Sequence, residues 1–149
     1  GFGNAIGGGV AGAIRRAAGE ELVKECQQLS KDRYPKGLPT GEAVATKAYN
    51  LPAKIIIHTV GPRYYSEDLS LLKNCYINSL KIAEENNCES IAFPAIGTGA
   101  YGCPIEKSAE IVKDVLEKYE SKTIKDITLV LFKEEDLEIY RRGFGRKVV

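Results

Sequence analysis

The strongest constraint on the fold is an alternation of short apolar runs with longer segments of helical periodicity. The apolar runs occupy residues 54–60, 90–96 and 126–132. Between them, residues 72–83 and 105–119 repeat apolar side chains every three or four positions, which is typical of helices that bury one face. The order strand, helix, strand, helix, strand predicts right-handed crossovers and a largely parallel sheet, with strands buried on both faces.

The segments around this alternation predict one more strand and two terminal helical regions. Apolar residues from Val10 to Leu22 recur at helical spacing, and Gly19 is expected to interrupt or bend that helix. Residues 42–49 can form a strand near an edge of the sheet. Residues 134–142 predict a last short helix.

Length, charge and cysteine usage narrow the classes of function. A chain of 149 residues fits one domain, and its formal net charge of +1 argues against broad binding to nucleic acid. The apolar runs fall well short of the ~20 residues that a membrane helix requires. The four scattered cysteines indicate buried thiols of a cytoplasmic protein rather than a metal site or disulfides. They are Cys26, Cys75, Cys88 and Cys103. No metal or cofactor is expected, the oligomeric state stays open, and a small anionic ligand remains compatible with this composition.

Two glycine-rich segments each lie just before a predicted helix. Gly97-Thr-Gly-Ala-Tyr-Gly102 follows an apolar run, and Gly7-Gly-Gly-Val-Ala-Gly12 opens the first helix. Both match the G-x-G-x-x-G spacing of nucleotide-binding loops. Glycine accepts positive φ and lets ligand oxygens approach the backbone, while the helix N-terminus offers unpaired N–H groups and the positive end of its dipole. Two such loops in one small domain favour a diphosphate ligand over two purely structural turns.

A Rossmann-type NAD site is a lesser alternative. That fold places an acidic residue at a strand end ~20 positions after the loop, where it binds a ribose. From Gly102 this offset reaches Lys122, and neither glycine loop is followed by an acid at a predicted strand end. The dinucleotide pattern therefore fits this sequence poorly.

Three motifs together resemble the macro-domain family. They are GGGVAGAIRRAAG at 7–19, IIHTVGP at 56–62 and FPAIGTGAYGCP at 93–104, and they occur in the family's order over nearly the whole chain. The resemblance implies an α/β protein: a three-layer α/β/α fold with a central mixed, largely parallel sheet. It makes residues 1–149 a single macro domain that apparently lacks the family's N-terminal strand and Asn-rich segment. It further implies that the partner is ADP-ribose or an ADP-ribosylated protein.

The resemblance also implies the ligand-binding residues. Amides of the second loop would hold the diphosphate, with Tyr101 packed beside the distal ribose. Phe132 resembles the position that stacks on adenine, although a Phe that ends a strand is as readily a core residue. The implied set is Gly8, Gly9, Val10, Ala11, Gly97, Thr98, Gly99, Ala100, Tyr101 and Phe132.

The sequence leaves catalysis undecided. A hydrolytic subgroup of the family carries Asp directly after Gly-Gly-Gly-Val, where this chain has Ala11, and alanine can neither accept a proton nor orient a water. His58 is the single histidine and is predicted to be a hydrogen-bonded core residue rather than a catalyst. Binding without turnover is preferred. The alternative is a hydrolase that releases ADP-ribose from modified proteins, ADP-ribose-1″-phosphate or O-acetyl-ADP-ribose, with no catalytic residue named.

Overall fold

A computed structural model describes residues 9–144, which alternate helices and strands as the sequence predicts. The elements in chain order are α1 (Gly9–Ala18), α2 (Glu20–Asp32), β1 (Ala43–Lys47), β2 (Ile55–Thr59), α3 (Ser70–Glu85), β3 (Ser90–Pro94), α4 (Ile105–Lys118), β4 (Asp126–Val130) and α5 (Glu134–Phe144).

Gly19 interrupts the first helical region, as predicted. It separates α1 from α2 with a φ of 97°, in the region that favours glycine. A Cβ placed there would lie 2.8 Å from Asn50 Nδ2, so a side chain at this position would also clash with the loop before β2. The predicted helix is therefore two helices.

The strands pair in two separate sets. β1 runs antiparallel to β2 with Val44 opposite His58, and β3 runs parallel to β4 with Phe93 opposite Leu129. Both orientations expected of a mixed sheet are present. Within residues 9–144, however, β2 and β3 share no backbone pairing, so the three predicted strands do not form one continuous sheet there.

Helices cover both faces of β2. Ile55 and Ile57 pack against the main core, whereas Ile56, on the opposite face, packs against a smaller cluster formed by α1 and α2. These layers match the predicted α/β/α arrangement. The prediction that β3 and β4 are also buried on both faces is wrong for the described residues. Ala92 and Thr128 lie on the face away from the core and are exposed.

The main core lies between the strands of both pairs and helices α3, α4 and α5. A buried hydroxyl hydrogen bond between Ser108 and Tyr140 ties α5 to α4. All four cysteines are buried and free, which confirms the prediction of buried thiols. Within residues 9–144, every helix is too short or too polar to cross a bilayer. The largest fully buried side chains of this core are Leu72, Tyr76, Leu80, Val112 and Tyr140.

Candidate functional site

Residues 97–102, called loop two below, form a tight turn between β3 and α4. Gly97 and Gly102 have φ values of 78° and 79°, a backbone conformation that favours glycine. Two backbone bonds close the turn: Gly102 N–H donates to Gly99 O at 3.0 Å, and Cys103 N–H donates to Gly97 O at 2.9 Å. The glycine-rich segment therefore forms a hydrogen-bonded turn after a strand, as predicted.

Loop two presents three successive backbone donors to solvent. Within residues 9–144, the N–H groups of Gly99, Ala100 and Tyr101 donate to no protein acceptor. Gly99 and Ala100 are exposed, and Tyr101 is 38% exposed. Consecutive free amides just before a helix are the kind of backbone group that binds anions.

The base of loop two is fixed to the core by Tyr76 of α3. Ile96 N–H donates to Tyr76 Oη at 3.1 Å, and Tyr76 Oη donates to Pro94 O at 3.3 Å. Burial raises the pKa of Tyr76 well above its ordinary value, so the phenol stays neutral and can fill both roles. Its ring also packs on Phe93 of β3 at a centroid distance of 5.1 Å. The loop is thus positioned by a buried side chain that sequence analysis did not single out.

The segment after β2, residues 61–67, packs beside loop two and is called the rim segment. A Cβ at Gly61 would lie 3.0 Å from Ile96 Cγ2 and 3.3 Å from Gly97 N, so the two loops touch through glycine. Tyr64 N–H donates to Tyr101 O at 2.9 Å. The sequence motif IIHTVGP runs into this segment, but its contribution to the site was not predicted. Its visible signal was the Gly-Pro pair that follows an apolar strand.

The first glycine segment is open where it is described. α1 begins at Gly9, whose φ is 65°, and among residues 9–144 no heavy atom beyond its chain neighbours and own helix backbone lies within 4 Å of the position that a Cβ would take. Val10 and Ala11 in the first turn are exposed. The first N–H groups of a helix have no intrahelical acceptor, so this turn can also face an anion. Gly8, predicted as a fourth ligand residue of this loop, lies outside the described residues.

α1, which begins in the first glycine segment, packs beside β2. Ala18, at the end of α1, accepts a hydrogen bond from Asn50 in the loop before β2, at 3.2 Å. Arg15, one turn earlier, is close enough for its charge to act on His58 near the end of β2. α1 therefore lies beside β2, with its last residue next to the loop that precedes the strand.

His58 is a structural residue of β2, in agreement with the sequence prediction. Its Nε2 is 2.9 Å from Thr46 Oγ1 on β1. Burial, together with the positive charge of Arg15, lowers the pKa of His58 to about 4. The ring is therefore neutral at physiological pH.

Phe132 and Cys103 lie in opposite environments, one exposed and one buried. Phe132 lies two residues beyond β4 and is 94% exposed, so the reading of it as a core residue that ends a strand is wrong. Its proposed contact with adenine stays a prediction. Cys103 directly follows loop two, but it is buried, and burial raises the pKa of its thiol. That environment disfavours a thiolate nucleophile.

A separate groove of about 680 Å³ lies between α4 and α5 and shares no residue with loop two. Glu110, Glu138 and Arg142 are among the charged residues that line it. It opens broadly to solvent, and it is not lined by the unpaired N–H groups of loop two. We therefore place the candidate site at the glycine loops.

Fold and site together define an α/β domain that offers backbone amides to an anionic ligand. The family model described as "Macro domain" matches residues 3–112, well over half of the chain. The chain belongs to the macro-domain family. The family and the α/β fold predicted from the sequence are confirmed, and the Rossmann-type alternative is set aside.

Relatives with known names or structures agree with this assignment. The chain is 45% identical over 142 residues to a protein named O-acetyl-ADP-ribose deacetylase from Escherichia fergusonii, a match that covers 91% of this chain and 78% of the relative. The Oceanobacillus iheyensis macrodomain solved with ADP is 41% identical with a TM-score of 0.88, covering 93% of this chain and 75% of that one. The Trypanosoma brucei macrodomain solved with ADP-ribose is 35% identical with a TM-score of 0.81, covering 93% and 58%.

Proposed function

We propose that the chain acts as a single domain that binds ADP-ribose or an ADP-ribosylated protein, with the diphosphate held by backbone amides of loop two and of the first turn of α1. The observation that carries the proposal is the row of unpaired N–H groups at Gly99, Ala100 and Tyr101. Relatives crystallised with ADP and ADP-ribose support the choice of ligand.

Backbone amides suit this ligand for a physical reason. A diphosphate loses strongly bound water on binding, and fixed N–H dipoles replace that water without further ordering of the protein. The bonds that close the turn around Gly97 and Gly102 set these dipoles before the ligand arrives. A helix start on each side adds favourable dipole ends. The sugar next to the diphosphate would then contact Tyr101, and Phe132 would stack on the adenine.

Gly99 offers a clean mutational test of this site. Its φ is not in the left-handed region, and within the described part of the chain no heavy atom beyond its two neighbours lies within 4 Å of the position that a Cβ would take. Gly99→Val should therefore leave the fold intact but fill the space over the amides. We expect affinity for ADP-ribose to fall at least about tenfold by titration calorimetry, or about 1.4 kcal/mol.

The matched control is Gly143→Val in α5. This glycine also lacks a left-handed φ, and among the described residues outside its own helix backbone a Cβ there would meet only Ala109 Cβ, at 3.9 Å. Its substitution should leave ADP-ribose affinity unchanged. Equal affinity of wild type and Gly99→Val would count against the site, and absence of any ADP-ribose binding would remove the proposed function. Parallel titrations with NAD and AMP would show whether the ribose end and the diphosphate are both required.

Hydrolysis is the second candidate function. It is supported by the named activity of the Escherichia fergusonii relative. Against it, Ala11 lacks the carboxylate expected of one hydrolytic subgroup, so water would attack with help only from the ligand's phosphate and the loop amides. Chromatography of O-acetyl-ADP-ribose and of an ADP-ribosylated protein after incubation separates the candidates. Release of ADP-ribose at a rate above the uncatalysed reaction would establish turnover, and its absence alongside tight binding would establish a binding module.

A further inference from the structure

The rim segment is held rigidly beside loop two by contacts on both of its sides. Toward the loop, the ring edge of Tyr65 lies 3.4 Å from the position of a Cβ on Gly102. On the other side, Glu67 Oε1 accepts a hydrogen bond from Arg63 N–H at 3.0 Å, and Glu67 Oε2 accepts one from Thr40 Oγ1 at 2.9 Å. These bonds fix the backbone from which Arg63 and Tyr65 project.

Arg63 carries a charge that no carboxylate neutralises directly. Its guanidinium lies 5.7 Å from the ring centroid of Tyr101, within cation–π range, and within residues 9–144 it makes no ion pair. Two acids lie nearby, and the Arg63 backbone N–H, Thr40 and the charge of Arg63 together lower the pKa of Glu67, but the hydrogen bonds of both carboxylates go to groups other than the guanidinium. Glu67 binds Thr40 and the Arg63 backbone, and Asp68 accepts a hydrogen bond from Ser70 N–H at 2.9 Å. The guanidinium is therefore available to an outside anion.

Tyr65 adds an exposed aromatic surface next to this charge. Its ring packs edge-on against Tyr64 at 4.9 Å, yet its side chain is 88% exposed. An ordered, solvent-facing Tyr beside an Arg is the composition enriched at energetically important positions of protein interfaces.

We propose that Arg63 and Tyr65 form a docking surface for the polypeptide that carries the ADP-ribose, and that this surface favours acidic residues next to the modified position. The inference rests on the proposed function. With the diphosphate on the amides of loop two and the distal ribose beside Tyr101, as the proposed function has it, the group attached to that ribose would lie near Arg63, whose guanidinium is 5.7 Å from the Tyr101 ring. A carboxylate complements the guanidinium in charge and in its two-oxygen geometry, and Tyr65 provides contact area for the chain.

The test uses two peptides that carry ADP-ribose on the same residue through a non-hydrolysable linkage, flanked by glutamates in one and by lysines in the other. Wild type should bind the acidic peptide roughly threefold more tightly at low salt, as expected for an exposed charge pair, and added salt should reduce this preference. Arg63→Glu should invert the order of the two peptides and leave affinity for free ADP-ribose within about twofold. If the affinity rises for one peptide and falls for the other, a purely structural defect cannot be the cause. Tyr65→Ala should weaken both peptides roughly fivefold more than it weakens free ADP-ribose, which serves as the reference because Tyr65 also packs on Gly102.

Arg33→Glu is the matched control. Arg33 also lies over a tyrosine ring, that of Tyr34 at 5.2 Å, but in the turn that ends α2. This variant should retain the wild-type preference. Equal binding of both peptides by wild type, or an equal loss for peptides and free ADP-ribose in Arg63→Glu, would overturn the inference and leave the proposed function standing. Failure of wild type to bind free ADP-ribose would remove both.

Discussion

The two glycine segments are held in place very differently. Loop two is closed by its own backbone bonds, anchored to Tyr76 and packed against Gly61. The first turn of α1 starts at a glycine with open space around it. Among the described residues, loop two is therefore fixed by the folded core, whereas Gly9 has no comparable packing. Affinity should depend on the packing behind loop two more than on packing around Gly9.

The largest effect is expected where loop two touches the rim segment. In Gly61→Val, the new Cβ would lie 3.0 Å from the Ile96 side chain at Cγ2 and 3.3 Å from the backbone of Gly97. The Gly97 backbone cannot move away without opening the turn. We expect a loss of about 3 kcal/mol in the free energy of unfolding, measured in denaturant, with loss of ADP-ribose binding. Gly143→Val should change neither. Wild-type stability in Gly61→Val would mean that loop two is not tightly packed.

An intermediate effect is expected from pH, through His58 beneath α1. Because the folded pKa is depressed to about 4 from an ordinary 6.5, the unfolded chain binds more protons in this range. Stability from this group is complete above about pH 6.5 and is lost as the pH falls toward 4. The free energy of unfolding should drop by about 2 kcal/mol between pH 8 and pH 5 from this residue. His58→Gln removes the titration, so a pH slope identical to that of wild type would contradict the assignment.

The smallest expected effect is a difference in stability between alanine substitutions in the two glycine segments. Gly9→Ala and Gly97→Ala place the same side chain at similar positive φ values, 65° and 78°. An alanine in that conformation is destabilised by about 1 kcal/mol relative to glycine. The start of α1 can relax, so Gly9→Ala should cost less than this amount. At Gly97 the closed turn cannot relax, so the full cost should appear in the free energy of unfolding. Equal losses would mean that the first turn is as constrained as loop two.

Local features of the site could be predicted from the sequence, and long-range ones could not. Glycine spacing predicted loop two, and Gly19 predicted the break between α1 and α2, because both depend on backbone conformations that one residue type permits. Tyr76 was assigned only to a helical stripe. Its hydroxyl contacts residues 18 and 20 positions away, a relation that no periodicity reveals.

Strand pairing could not be predicted from local sequence patterns either. Apolar runs predicted β2, β3 and β4, but pairing depends on which edges meet, and the described residues contain two strand pairs rather than one sheet. Phe132 was misread as the end of a strand because hydrophobicity does not distinguish a core position from an exposed aromatic beyond the last paired residue. The rim segment was missed because its role comes from contacts with loop two rather than from its own composition.

The anchoring of loop two through Tyr76 links ligand recognition to the interior of the protein. Any substitution that shifts α3 relative to β3 will displace the Tyr76 hydroxyl, and with it the peptide groups at Pro94 and Ile96 from which the loop departs. Ligand affinity should therefore report on core packing. Variants selected only for tolerance at buried positions such as Leu72 or Leu80 can remain folded yet lose recognition, so the interior of this domain is under functional as well as structural selection.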